Sequence, residues 1–220
     1  MQIRSMYDQE LRDIQRDAFH MGNLVSEAMV EVMRACHRRD FTAIERAYKK
    51  DEEARRMRMA INDRVLKVVA TQSPLAADLR KLFFLMHLCD ELGRITAQLT
   101  GIGHTSMQMG EQVILFEEIY RMADKTATML DHMLGAAASG DEETIQRVIA
   151  MDDEVDVIYE QLSRECGART AAPADGSMAP LLGTYKMAKR WEGIADSVVN
   201  ACRWWLYFNA DREKYKGLLI

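Results

Sequence analysis

Apolar residues return at alternating spacings of three and four along most of this 220-residue chain, a rhythm that restricts it to long packed helices. The first seam reads Leu11, Ile14, Ala18, Met21, Val25, Ala28, Val32, Ala35. Such spacing puts one apolar stripe on each helix and suits packing at a shallow crossing angle in a bundle. It predicts a first helix over about residues 3–37. Asp40 is placed to cap a second helix that runs to about Thr71. Gln72-Ser73-Pro74 then breaks the chain, with Ser73 as a cap and Pro74 as the first residue of a third helix. Gly101 and Gly103 are expected to end that helix. A fourth helix is expected over about 112–139, on a seam of Leu115, Ile119, Met122, Thr126, Met129, Met133 and Ala136. Gly140 should stop it and Asp141 cap a fifth, which fades near Gly167. A loop with Pro173, Gly176 and Pro180 precedes a sixth, which runs from about Pro180 to Asn209 and follows Met187, Trp191, Ile194, Val198, Ala201, Trp205 and Phe208.

The two halves repeat. Asp40, Ile44, Arg46 and Asp51 meet Asp141, Ile145, Arg147 and Asp152, each displaced by 101 positions. Gly93-Arg94-Ile95-Thr96-Ala97 meets Glu192-Gly193-Ile194-Ala195-Asp196, displaced by 99. The order is kept, and the difference fits an insertion in the loop before each third helix. The expected fold is all-α: two tandem three-helix bundles, residues 1–106 and 107–220.

Composition narrows the function. Apolar residues make up 48% of the chain, enough for a full core. The net charge of −5 argues against a nucleic-acid binder. The basic stretch at Lys49, Lys50, Arg55, Arg56 and Arg58 is interleaved with Asp51, Glu52 and Glu53 and reads as a solvated helix face. Cys36, Cys89, Cys166 and Cys202 form no CxxC pair and read as free cytosolic thiols. Met1-Gln2-Ile3-Arg4 opens straight into an amphipathic segment without the pattern of a signal peptide. The longest apolar run, Leu82 to Cys89, is interrupted by His87 and falls far short of the roughly 20 residues that span a bilayer. A cytoplasmic protein is expected, with contact to a membrane only through a partner.

The chemistry-bearing feature is acidic. Asp152 and Asp156 are four apart on the fifth helix, and Glu192 and Asp196 are four apart on the sixth. Residues at that spacing share a face, with Cβ atoms about 5–6 Å apart, and like charges there repel. A cation relieves the repulsion, and four carboxylates from neighbouring helices make a hard, oxygen-rich site for Mg, Mn, Ca, Zn or Fe. Taken alone, either pair reads as a solvated face, because 34 acidic residues produce such pairs by chance. In the first half the equivalent positions are Asp51, Arg55, Gly93 and Ala97, so no matching metal site is expected there; Glu52, Asp90 and Glu91 are the acids that could improvise one.

Several stretches together carry a family resemblance: Tyr7-Asp8-Gln9-Glu10-Leu11, Arg39-Asp40, the segment from Ala70 to Arg80 with its Gln-x-Pro-x-Ala-x-Asp-Leu-Arg pattern, and Trp191-Glu192-Gly193-Ile194-Ala195-Asp196. Over nearly its whole length the chain resembles the PhoU family of phosphate-signalling regulators. The resemblance implies a tandem pair of three-helix bundles and a non-enzymatic role. It implies docking between the ATPase of a phosphate ABC transporter and a sensor histidine kinase, restraint of the phosphate-starvation response, and a homodimer. It also implies a divalent or trivalent metal ion, Fe, Zn, Mn or Mg, held by Glu/Asp-x-x-x-Asp motifs. These carry over onto Asp152, Asp156, Glu192 and Asp196. The chain departs from the pattern at Arg55, Gly93 and Ala97, and at Ser197, where a histidine often follows the aspartate.

Two other readings remain open on the residues alone. A ferritin-like di-metal enzyme needs Glu-x-x-His on facing helices, and the nearest match is Asp17-Ala18-Phe19-His20. The five histidines, His20, His37, His87, His104 and His132, repeat no ligand spacing. A metal-free helical adaptor is the other. Trp204, Tyr207 and Tyr215 are candidate partner anchors, though packing within the bundle is the plainer use, and residues 214–220 read as a frayed end or a docking tail.

Overall fold

The computed structural model describes residues 2–38, 40–109, 117–171 and 178–209. Six helices fill them: α1 (Gln2–Arg38), α2 (Phe41–Gln72), α3 (Ala76–Met109), α4 (Glu117–Ser139), α5 (Glu142–Ala171) and α6 (Met178–Asn209), with no strand among the described residues. With 37 residues, α1 is about 55 Å long at 1.5 Å per residue.

Burial explains the helices. Every residue of the first seam, Leu11 through Ala35, is buried, and so are Ile119, Met122, Thr126, Met129, Met133 and Ala136 on α4. On α6 the seam is buried from Met187 to Trp205, and Phe208 packs against the core at its edge. α1, α2 and α3 pack on one another, as do α4, α5 and α6, giving the tandem three-helix arrangement. The halves are not separate bodies. α3 and α6 form the most extensive helix pair, α1 also touches α4, and one apolar core runs through all six helices. α6 therefore meets α3, α4 and α5. Its second stripe, Ala188, Ala195, Val199 and Cys202, is as buried as its main seam.

The helix ends show the repeat in atoms. Asp40 caps α2 by accepting from the Thr42 backbone N–H at 3.1 Å, and Asp141 caps α5 by accepting from Thr144 N–H at 3.0 Å. Gly140 closes α4 at φ +81°, a left-handed conformation that costs glycine little.

Several expected helix ends need correction. Ser73 ends α2 rather than starting α3: it adopts φ 45°, ψ 63°, the left-handed C-terminal conformation. Pro74 then precedes α3, whose first turn is closed by Leu79 N–H donating to Leu75 C=O. Gly101 and Gly103 do not end α3, which runs on to Met109. Both serve close approach instead. A Cβ on Gly101 would lie 2.2 Å from Arg190 Cζ, and one on Gly103 3.1 Å from Ile44 Cγ2. α5 likewise continues past Gly167 to Ala171, and α6 begins at Met178 with Pro180 in its first turn, where the missing N–H removes no helical bond. Gln112, Leu115, Pro173, Gly176, Tyr215 and the 214–220 tail lie outside the described residues.

Among the described residues no helix is long and apolar enough to cross a membrane. All four cysteines are free and buried. Burial lifts their thiols, Cys36 to about 11 and Cys89 to about 12, so none is a ready thiolate nucleophile. Trp204 is a packing residue: it stacks on His87 with ring centroids 3.6 Å apart and planes 7° from parallel.

Candidate metal centre

The four predicted acids come from two helices in contact, α5 and α6. On α5, Val155 and Ile158 are buried and fix the helix's rotation, leaving Asp152 half-buried beside them and Asp156 exposed one turn on. On α6, Trp191, Ile194 and Ala195 are buried, which places Glu192 half-buried and Asp196 exposed at the rim of the same packing seam. The four acids thus lie on a flank of the bundle, and the apolar stripe Ala188, Ala195, Val199 and Cys202 beside them is sealed by neighbouring helices.

Electrostatically, three of the acids are shifted by burial and by the charge of Asp196. Burial raises the Asp152 carboxyl to about 6, helped by the charges of Asp156 and Asp196 and opposed by Arg203. Asp156 is raised by burial and then by Asp196. Glu192 is raised by burial and then by Asp196, with Lys189 opposing. Each of the three therefore feels Asp196. Arg203 and Lys189 are part of this field and follow from no motif; Arg203 lies seven residues beyond Asp196, two helical turns along α6. Among the described residues no ion pair links any of the four acids to a lysine or arginine.

A hard cation fits this site in donor chemistry: only carboxylate oxygens, repelling one another, at a partly dry rim. The side chains are not yet gathered as ligands. Among the described residues no three His, Cys, Asp or Glu side chains group closely enough to hold a metal ion. A bound ion would have to draw the carboxylates from α5 and α6 together.

The first half carries a different set at the same place. Asp51 and Arg55 pair with each other at 2.6 Å, and both line a cavity with Gly93 and Ala97. Glu52, Asp90 and Glu91, the acids that could have improvised a site, are each drawn to an arginine: Arg56 at 2.9 Å, Arg58 at 3.7 Å and Arg94 at 3.0 Å. The basic stretch is therefore more than a solvated face, since Arg55 and Arg58 line that cavity.

Comparison with known proteins agrees with the repeat and the fold. The family model described as the PhoU domain matches twice, over residues 19–105 and 119–205. The chain is 24% identical over 213 residues to a Clostridium acetobutylicum protein named phosphate-specific transport system accessory protein PhoU homolog, covering 96% of this chain and 97% of that one. It is 26% identical to the Escherichia coli phosphate-specific transport system accessory protein PhoU, covering 94% and 86%. The crystal structure of the phosphate transport system regulatory protein PhoU from Streptococcus pneumoniae superposes with a TM-score of 0.85 at 23% identity, covering 92% and 96%. PhoU from Pseudomonas aeruginosa gives 0.86 at 21% identity, covering 92% and 98%. Two domain matches spaced like the internal repeat, on six helices arranged as in these structures, establish that the chain belongs to the PhoU domain family.

Proposed function

We propose that this protein is a cytoplasmic regulator of phosphate uptake and of the phosphate-starvation response, working by docking rather than by catalysis. Its partners on this reading are the ATPase of a phosphate ABC transporter and a sensor histidine kinase, and it reaches the membrane only through them. The observation that carries the proposal is the pair of PhoU domains covering most of the chain, in a protein that matches accessory proteins of phosphate-specific transport systems along nearly their whole length. A docking role rather than catalysis follows from the same family membership, whose relatives are named as accessory and regulatory proteins. A homodimer belongs to the same proposal.

The second-half acids supply a metal-dependent element within it. Asp152, Asp156, Glu192 and Asp196 would hold Fe, Zn, Mn or Mg, and the ion would tie α5 to α6 and stiffen the docking face. What these residues themselves contribute is a concentrated negative charge on two helices that are joined by apolar packing and by the hydrogen bond from the Tyr159 hydroxyl to that of Tyr185.

The test is a deletion strain with a reporter of the phosphate-starvation response. Deletion should switch the reporter on in phosphate-replete cells, and affinity capture from those cells should recover the transporter ATPase and the kinase. A reporter that stays silent after deletion, with phosphate uptake unchanged, would reject the regulatory role. A protein purified without chelator that holds no metal, yet complements the deletion, would make it a metal-free adaptor.

A further inference from the structure

Displaced by 101 on α2 and by 99 on α3, the four acidic positions of the second half become Asp51, Arg55, Gly93 and Ala97. All four line one cavity of about 310 Å³ between α2 and α3, and Arg58 and Arg94 join them there. Equivalent positions on the two helix pairs therefore carry opposite charge. One carries four carboxylates. The other carries three guanidinium groups and a single carboxylate.

That lone acid is committed. Asp51 is only 8% exposed and accepts a hydrogen bond from Arg55 Nη2 at 2.6 Å. The acids behind the cavity hold the remaining arginines loosely or from one side. Arg58 Nη1 stands 3.7 Å from Asp90, beyond hydrogen-bonding distance, and Arg94 Nη1 donates to Glu91. Each pair engages one nitrogen of a group that offers five N–H donors. Glu91 is 3% exposed, and burial raises its carboxyl, which weakens its hold on a charge opposite Arg94. Gly93, standing where Glu192 stands in the other half, leaves room for Arg58 to lie against the α3 backbone. A Cβ there would meet Arg58 Nη1 at 3.1 Å. Ala97 offers a methyl where Asp196 offers oxygens. Each carboxylate at this cavity, Asp51 in its lining and Asp90 and Glu91 beside it, already has an arginine against it, so these residues do not fit the metal that the family pattern implies.

We propose that this α2–α3 cavity binds a small tetrahedral oxyanion, inorganic phosphate being the one to test, through Arg55, Arg58 and Arg94. Planar guanidinium forks match oxyanion geometry two N–H groups at a time, and three of them around one groove can share a dianion. Asp51 orients Arg55 from below instead of neutralising the cavity. The arginines face solvent, so the interaction is screened and weakens as salt rises. The inference stands apart from the proposed regulatory role. It rests on side chains of the first half only, and its failure would leave that role untouched.

The experiment is equilibrium dialysis of the full chain, stripped of metal by chelator, against radiolabelled inorganic phosphate at low ionic strength. One saturable site is expected, displaced by sulfate but not by chloride at equal ionic strength. The Arg55→Gln/Arg94→Gln variant should lose tenfold or more of the affinity, with its melting temperature and helical circular dichroism checking that it folds. The surface control Arg164→Gln, on α5 and outside both sites, should bind phosphate like the parent. The proposal is overturned if no saturable site is found or if the double arginine variant binds unchanged. It is equally overturned if binding appears only when metal is restored and disappears in Glu192→Gln/Asp196→Asn, which would place the anion on a second-half metal.

Discussion

Tyr7 donates its hydroxyl to Asp78 Oδ2 at 2.9 Å across 71 residues of sequence. The bond joins the opening of α1 to the first turn of α3, and its two ends lie in two of the stretches that gave the chain its family likeness: Tyr7-Asp8-Gln9-Glu10-Leu11 and the segment from Ala70 to Arg80. Burial and the Asp78 carboxylate together push the Tyr7 phenol up to about 12. A hydrogen bond to a charged acceptor contributes about 1.5–3 kcal/mol when buried and less where solvent competes, as it does here. Tyr7→Phe is therefore expected to lower the unfolding free energy by about 1 kcal/mol, measured in urea. Asp78→Ala in the Tyr7→Phe background should add little. Strictly additive losses in that cycle would mean that the two residues act separately.

Asp152 makes stability depend on pH. Its folded-state value of about 6 lies above the ~3.9 of an unfolded aspartate. The native state therefore holds this proton more tightly than the unfolded chain, and ionising Asp152 works against folding. Its contribution improves as pH falls from about 7 towards 4 and worsens as pH rises through 6. Asp152→Asn removes the effect. In metal-free protein, the variant should be more stable than the parent at pH 7.5, by about 1 kcal/mol once half-exposure and solvent screening are allowed for. At pH 4.5 the gain should nearly vanish. Melting curves at the two pH values decide it, and an equal gain at both would deny the repulsion.

A metal that binds native α5 and α6 but not the unfolded chain must raise the melting temperature as its concentration rises. A hundredfold excess over the dissociation constant corresponds to about 2.7 kcal/mol. Titration with Mn, Mg, Zn and ferrous iron at pH 7.5 should show this shift for at least one ion. Protons compete for the same oxygens, so the shift should shrink at pH 5, where Asp152 has taken up its proton. Glu192→Gln/Asp196→Asn should abolish it. No shift with any of the four ions would remove metal from the proposed mechanism.

Much of this was legible in the sequence because period and offset are local properties. The three-four seam on α1 became a fully buried stripe, and the 101-residue displacement that aligned Asp40 with Asp141 became two helix caps. The displacement also names Asp51, Arg55, Gly93 and Ala97, but that these line one cavity with Arg58 and Arg94 is a property of the packed helices that no offset shows. What could not be read was anything that depends on how the halves meet. Gly101 looks like a helix terminator until Arg190 of α6 is seen lying against it. The stripe at Ala188, Ala195, Val199 and Cys202 is buried only because α6 packs on α3, α4 and α5 at once. Four acids in sequence fix a shared charge but not their rotamers, so the gathering of ligands around an ion was not legible either.

The contact between halves can be tested at Gly22 on α1. A Cβ there would lie 2.6 Å from Leu134 Cδ2 and 3.3 Å from Leu134 Cγ, on α4. Both residues are buried, and α1 and α4 meet along this line, so Leu134 has little room to retreat. In an exposed helix, glycine to alanine stabilises by about 1 kcal/mol through propensity alone. Here overpacking opposes that gain with roughly 1–3 kcal/mol. Gly22→Ala is therefore expected to be destabilising by about 1 kcal/mol, the reverse of the usual sign. Leu134→Ala alone should cost about 2–3 kcal/mol as a large-to-small change near the edge of the core. In the double variant the alanine methyl enters the space that Leu134 vacates, so the combined loss should be smaller than that of Leu134→Ala alone. Urea denaturation of the four proteins reads this coupling directly, and a Gly22→Ala variant more stable than the parent would show that α1 and α4 are not held this closely.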